Sequence, residues 1–264
     1  MKKWVRVLIG VVILLGTGIL LTAAHQREDE TILGNPTITI VVQDEIALLT
    51  EIELRNELEV NQFFYPDMKK NELDVREIEA FLENMNEIEA ADVYIDIGGE
   101  WHVDVQTRRP VARIILNSSP DFYLDNRGKI MRISTYSKPK TLCFTGFESF
   151  FDEELNIDAL INIDSLKTKF DLDQVNRISS YVCNSAFYNA QIVQVHYSKE
   201  EGFILIPRVG SQTIIFGSAL SDEEVERKFN KLTTFYEKVI PFEGWRKYRE
   251  INLKFEDQIV AKKK

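Results

Sequence analysis

Histidine is one of the residue types through which this sequence of 264 residues could bind a metal, and it is scarce. The three histidines are His25, His102 and His196, and none of them has a metal-ligand spacing such as H-x-x-x-H. Ordinary polar positions explain isolated histidines better than a metal site does. We therefore predict no metal site.

Cysteine is equally scarce, with only Cys143 and Cys183 present. Two cysteines are too few for a disulfide scaffold or a four-thiolate zinc site. Outside the cytoplasm the two could form a disulfide, but both lie in apolar surroundings, where free cysteines act as small core residues. We favour two reduced core residues over a disulfide.

The sequence also lacks the common motifs of nucleophilic catalysis and of phosphate binding. The sequence contains no G-x-S-x-G segment and no P-loop, and its many carboxylates are spread over helices as a solvated face would be. We therefore predict a protein that is not an enzyme and has no catalytic residues and no cofactor.

The end of the chain is more informative. Residues 248–261 alternate apolar and polar side chains, which predicts a last strand, and residues 262–264 form a basic tail. A terminal strand often lies at the edge of a sheet, where another chain can add a strand. The alternative, that charges such as Lys254 merely protect this edge, is equally compatible with the pattern.

The elements that carry these residues begin with an uncharged apolar run over residues 7–24. Eighteen residues at about 1.5 Å each give roughly 27 Å, close to the thickness of a bilayer core. The run predicts a transmembrane helix, with residues 1–6 in the cytoplasm and the rest of the chain in the periplasm. This predicts a single-pass, type II protein of the inner membrane. A cleaved signal peptide is the alternative.

Charge is distributed unevenly behind this run. The formal net charge is −10, and an acidic total argues against a nucleic-acid partner. Residues 27–104 contain 21 acidic and 5 basic residues, whereas residues 105–264 contain 21 acidic and 24 basic residues. The acidity therefore belongs to the first part of the exported chain, where it could select basic partners.

The patterning predicts an α+β protein with two folded domains. After a polar spacer over residues 25–36, residues 37–109 read as strand, helix, helix, strand, strand, with a hairpin signal at Gly98-Gly99. Residues 110–261 read as a β-rich mixed domain with flanking helices. Length also allows about one or two domains of ordinary size.

Several segments resemble motifs of the cell-division protein family FtsQ, called DivIB in some bacteria. The segment VQTRRPVARI resembles the family's V-x-E-R-x-P-V-A, and YLDNRG resembles its Y-[LV]-D-x-x-G. The pair Phe216-Gly217 precedes a helix, as the family's late strands do, and INLKF resembles its terminal V-D-L-R-Y strand. In chain order these segments are residues 105–114, 123–128, 206–210, 216–217 and 251–255.

The resemblance implies a non-enzymatic, septal scaffold whose first domain is a POTRA-like module that contacts other division proteins. It also implies that the terminal strand pairs with a strand of an FtsB-like protein, which travels with FtsL, and so coordinates septal peptidoglycan synthesis. Lys254 and Phe255 match the basic and aromatic positions that grip the partner, although the family has Arg and Tyr there. The implied partner-binding residues are Tyr248, Arg249, Lys254, Phe255, Asp257 and Gln258.

Two other functions stay open at this stage. One is a POTRA-containing component of outer-membrane assembly or secretion, although such proteins carry repeated modules or a C-terminal barrel of alternating strands. The other is a membrane-anchored envelope enzyme, which would need a convergent catalytic constellation.

Overall fold

The structure is a computed structural model that describes residues 3–43, 47–96, 98–116, 120–147, 171–256 and 258–264. The chain divides into two compact units, residues 1–107 and residues 108–264. Each unit contains helices and a sheet, so the α+β class expected from the sequence is correct.

The chain begins with helix α1, Lys3–Asp29. Within the described residues, no helix combines the length and the apolarity that are needed to cross a membrane. The prediction of a transmembrane helix over residues 7–24 is therefore wrong.

The first unit contains the predicted order of strand, helix, helix, strand, strand. Thr50 and Glu53 form a capping box at the start of the first of these helices, and the Asp74 carboxylate caps the second by accepting from two backbone N–H groups. The elements are β1 (Thr37–Val41), α2 (Glu51–Val60), α3 (Val75–Asn84), β2 (Ile88–Ile95) and β3 (Trp101–Thr107), with a short 3₁₀ helix at Lys70–Glu72.

These strands form a three-stranded sheet in the order β1-β3-β2. Strand β1 runs parallel to β3, whereas β2 and β3 form an antiparallel hairpin. Alternation along β3 buries Trp101, Val103 and Val105 and leaves the residues between them partly exposed. One face of the sheet therefore forms the core with α2 and α3.

The second unit is built around a larger sheet. The strands are β4 (Pro110–Ile114), β5 (Phe122–Asp125), β6 (Ile130–Arg132), β7 (Leu142–Thr145), β8 (Ile192–Ser198), β9 (Gly202–Pro207), β10 (Thr213–Gly217), β11 (Tyr248–Asn252) and β12 (Val260–Lys263). The helices described in this unit are α4 (Leu172–Asn184), α5 (Ala186–Gln191), α6 (Asp222–Lys238) and α7 (Ile240–Glu243).

The nine strands lie in the order β12-β11-β10-β9-β8-β7-β4-β5-β6. The sheet is mixed, with parallel pairs at β4·β7, β7·β8 and β10·β11. Helices α4 and α6 supply apolar side chains to one core with the sheet, as Phe229 of α6 does by packing its ring 5.1 Å from that of Phe216 in β10. Among the described elements, β12 and β6 form the two ends of the sheet.

Two of the segments that resemble family motifs, residues 105–114 and 123–128, stabilise the start of the second unit. The buried Arg108 donates to the buried carboxylate of Asp125 at 3.1 Å. The other oxygen of Asp125 accepts the N–H groups of Arg127 and Lys129 in the turn that follows. Both segments thus carry a structural role, because removing one partner of a buried ion pair leaves an uncompensated charge.

The two cysteines are free, as expected, but both are only partly buried, so the prediction that they are core residues is wrong. Cys143 alternates along β7 with Leu142 and Phe144, which lie in the core, so its side chain points to the opposite face of the sheet. Cys183 lies in α4, on the core side, with its thiol 3.5 Å from the carbonyl of Val111. The sheet therefore separates the two thiols.

Candidate partner-binding edge

The terminal segment forms two strands, not the single strand over residues 248–261 that its alternation predicts. Strand β11 pairs in parallel with β10, and β12 returns to pair antiparallel with β11. The chain bends between Leu253 and Ile259. We call residues 248–264 the C-terminal edge.

A lysine of α6 holds this bend. The ammonium group of Lys231 donates to three backbone carbonyls. These are the carbonyl of Leu253 at 3.0 Å, the carbonyl of Glu256 at 3.3 Å and the carbonyl of Phe255. A single cation thus satisfies three carbonyls that cannot join the ladder between β11 and β12. The bend consequently depends on a residue more than twenty positions away in the sequence.

Strand β12 is the outermost strand at this end of the sheet. Within the described part of the chain, only β11 pairs with it, so its other side has no strand partner. Three of its four residues are exposed, and Lys262 forms an ion pair with Glu250 across the hairpin at 2.7 Å. The edge is therefore short, basic and accessible.

A groove of about 850 Å³ lies between α6 and the C-terminal edge. Its walls combine basic side chains and the acidic Glu223 and Glu226 with apolar groups. Residues that line it include Arg227, Lys231, Thr234, Phe235, Tyr248 and Ile259.

The predicted partner-binding residues differ in accessibility. Tyr248 is only 8% exposed, and its ring packs 5.3 Å from that of Phe235, so it supports the groove from inside. Arg249 and Gln258 are exposed, and Gln258 lines the groove. Phe255 is 45% exposed, a large fraction for an aromatic ring. Asp257 lies outside the described residues.

Lys254 already has a partner within the chain. Its ammonium group is 2.7 Å from a carboxylate oxygen of Glu201, and the pair is partly exposed. Its stem passes over Gly217, where an added Cβ would come within 2.7 Å of the Lys254 Cγ. Gly217 also has a φ of +78°, so both the backbone and the close approach require glycine.

Sequence reasoning missed the buried pair that fixes the loop beneath Lys254. Lys228 is 4% exposed and donates to Glu224 at 2.5 Å and to the carbonyl of Ser218 at 2.8 Å. Burial lowers the pKa of Lys228. Burial also raises the pKa of Glu224, but hydrogen bonds from Lys228, Ser218 and the Leu220 N–H outweigh this effect, so the pKa of Glu224 is lowered overall. The signal was a lysine on the apolar stripe of α6, three residues after Val225.

The histidines lie at separate places. His196 in β8 contacts the hydroxyl of Thr145 at 3.1 Å, through its Nδ1 atom. His102 in β3 lies in the first unit, where a ligand atom of Asp96, one of Glu100 and one of His102 are all within 4.8 Å of one another. Sequence reasoning missed this cluster because its D-x-x-x-E-x-H spacing across a hairpin is not a recognised metal motif.

A family model matches most of the second unit. The family described as FtsQ/DivIB, C-terminal related, matches residues 109–262, a range that contains the C-terminal edge up to β12. A search of curated proteins returned no match to the chain. Because the family match covers more than half of the sequence, the chain belongs to the FtsQ/DivIB family, and this membership indicates a role in cell division.

Proposed function

We propose that this protein is a non-enzymatic scaffold of the division machinery whose C-terminal edge takes up a strand of a partner protein. The observation that carries the proposal is the position of β12, which ends the nine-stranded sheet and has no strand on its other side among the described residues. A free strand edge offers N–H and C=O groups that an extended segment can pair with.

The groove beside this edge supports the same proposal. Main-chain pairing gives affinity with little sequence selectivity, so specificity must come from side chains that flank the added strand. Phe255 can bury an aromatic ring against such a partner, and the groove can take up apolar side chains that leave the strand.

The positive charge of the C-terminal edge favours a partner segment that is acidic. Strand β12 and the tail contribute Lys262, Lys263 and Lys264, and Arg249 is exposed on β11. Lysines on an edge discourage pairing between copies of the same chain, yet they attract a carboxylate-bearing strand. Lys254 and Lys262 contribute less, because a partner carboxylate would compete with Glu201 and with Glu250.

The resemblance to the family names the partner, an FtsB/FtsL-like complex, and we propose that holding it at the septum coordinates septal peptidoglycan synthesis. We propose a septal, membrane-associated location for the protein. We further propose that the first unit is a POTRA-like module that contacts other division proteins. Its order of strand, helix, helix, strand, strand supports this assignment.

Co-purification of the partner complex with a double variant, Lys254→Glu with Phe255→Ala, tests the proposal. We expect loss of the bound partner while the thermal unfolding transition stays close to that of the parent. The matched control, Lys140→Glu with Phe242→Ala, makes the same chemical changes at exposed positions that do not line the groove and should retain the partner. Full retention by the first variant would exclude the edge as the binding site.

Depletion of the protein from cells tests the role itself. A division scaffold predicts filamentous cells with unconstricted septa. Normal division accompanied by an outer-membrane defect would contradict the proposal and favour a component of outer-membrane assembly.

A further inference from the structure

The three-stranded sheet of the first unit has a second face that its helices leave uncovered. Along β2, Asp92 and Tyr94 are exposed, whereas Val93 between them is buried on the helix side. Asp104 and His102 of β3 lie on the same uncovered face, because they pair directly with Asp92 and Tyr94.

Carboxylates dominate this face. Asp92 and Asp104 stand directly opposite each other on antiparallel strands, an arrangement in which like charges destabilise the pair. At the end of β2, Asp96 lies 3.7 Å from His102, next to Glu100. We call this surface the acidic sheet face: Asp92, Tyr94, Asp96, Glu100, His102 and Asp104.

A stacked pair of rings separates the two groups of carboxylates. The Tyr94 and His102 rings lie 4.9 Å apart and nearly parallel, and the Tyr94 hydroxyl donates to Asp104 at 3.2 Å. Tyr94 is 40% exposed, so its ring is available to a ligand. An exposed aromatic face beside carboxylates is an environment that attracts arginine and lysine side chains.

The charge on this face is not balanced within the described chain. Among residues with described side chains, no lysine or arginine forms an ion pair with Asp92 or Asp104. Partial desolvation and then the carboxylates of Asp104, Asp92 and Asp96 raise the pKa of Tyr94, which is consistent with a negative potential concentrated here.

We propose that the acidic sheet face docks an extended basic segment of a partner protein, with arginine or lysine at positions i and i+4. Asp92 and Asp96 are four residues apart along the strand, which corresponds to about 13 Å. Two basic side chains with that spacing on one side of an extended segment would reach both groups of carboxylates, and the residue between them would lie over Tyr94. Binding would also relieve the repulsion between Asp92 and Asp104.

One divalent cation does not account for the whole surface. Asp96, Glu100 and His102 could surround an ion, but Asp92 lies about 13 Å from Asp96 along the chain, and its repulsion with Asp104 would remain. The like-charge pair and the exposed tyrosine are explained together only by a ligand that extends over the face.

NMR titration of the full-length protein with a synthetic peptide tests the proposal. The peptide carries two arginines four positions apart among threonines, and a second peptide places them three positions apart, on opposite sides of an extended chain. We expect shifts at Asp92, Tyr94 and Asp104 with the first peptide and about tenfold weaker binding of the second.

Protein variants complete the test. Asp92→Asn with Asp104→Asn should weaken binding of the first peptide about tenfold, and Asp96→Asn with Glu100→Gln should weaken it similarly. Glu59→Gln with Glu83→Gln removes the same charge from exposed positions on α2 and α3 and should leave binding unchanged. Lys254→Glu with Phe255→Ala should also leave it unchanged, which separates this proposal from that for the C-terminal edge.

Three outcomes would overturn the proposal. Equal loss in Glu59→Gln with Glu83→Gln would indicate attraction by net charge alone. Equal binding of both peptides would exclude an extended segment with the proposed spacing. Shifts at His102 with Mg²⁺ or Zn²⁺, without any peptide binding, would assign the face to a metal ion.

Discussion

The C-terminal edge and the acidic sheet face are both accessible, but they offer a partner different groups. Strand β12 presents backbone hydrogen-bonding groups on one side, flanked by lysines and an apolar groove. The acidic sheet face presents side chains on a sheet surface whose strands already pair with one another. One surface is basic and the other is acidic.

This difference separates two kinds of recognition within one chain. Backbone pairing and apolar burial, which we expect to dominate at the C-terminal edge despite its lysines, are short-ranged and change little with salt. Attraction between exposed charges, which we expect to dominate at the acidic sheet face, weakens as the Debye length falls. The net charge of −10 describes neither surface. Binding at each surface should therefore respond differently to truncation, to salt and to charge neutralisation.

Removal of β12 should have the largest effect. Truncation after Ile259 deletes the strand that we propose as the pairing edge, and we expect partner affinity to fall at least about a hundredfold. Most of the removed residues are exposed, so the core should remain folded. Calorimetric titration with the partner measures the loss, and undiminished affinity would assign strand pairing to another edge.

Substitution of Lys231 should have the next largest effect. Lys231→Met removes the cation that satisfies three carbonyls of the bend, and we expect partner binding to weaken about tenfold and the free energy of unfolding to fall by about 1.5 kcal/mol. Lys199→Met, in the exposed turn between β8 and β9 and outside the groove, is the control and should change both quantities little. Chemical denaturation with parallel binding measurements distinguishes the two, and equal effects would contradict a specific role for Lys231.

Neutralising the acidic sheet face should stabilise the fold. Asp92→Asn with Asp104→Asn removes a like-charge pair, so we expect the free energy of unfolding to rise by about 0.5–1 kcal/mol at low salt. High salt should reduce the gain, because screening already weakens the repulsion in the parent. Thermal denaturation at two salt concentrations measures the change in stability. A loss of stability in the double variant would show that the two carboxylates stabilise the sheet.

The smallest effect concerns the titration of Tyr94. Its pKa is raised above 10, so the folded state retains the proton after the unfolded state has lost it. This contribution to stability is present below about pH 10 and is lost as the pH rises through the folded-state pKa. Asp104→Asn should lower the pKa of Tyr94 in an NMR titration. Burial raises the pKa of Tyr236 to about 12, and that value should not move.

Local patterns were enough to predict the first unit. Capping at Asp74 and alternation along β3 are short-range signals, and they help to give the order of its elements. The apolar run over residues 7–24 also gave a strong local signal, but it led to the incorrect prediction of a membrane-spanning helix. Hydropathy alone was therefore an insufficient guide at the start of the chain.

Long-range contacts explain what sequence reasoning missed at the C-terminal edge. The alternation of apolar and polar residues continues through Phe255, so nothing local marks the end of β11 at Asn252. The bend is set by Lys231, and the engagement of Lys254 is set by Glu201, each more than twenty residues away. Such pairings depend on the order of strands in the sheet, which periodicity does not encode.

Hydrogen exchange measured with and without the FtsB/FtsL-like partner tests the central claim most directly. If the partner adds a strand to β12, the amides of residues 260–263 should exchange more slowly in the complex, whereas the amides of the acidic sheet face should not change. Protection confined to other residues, with unchanged exchange across residues 260–263, would contradict strand addition at this edge.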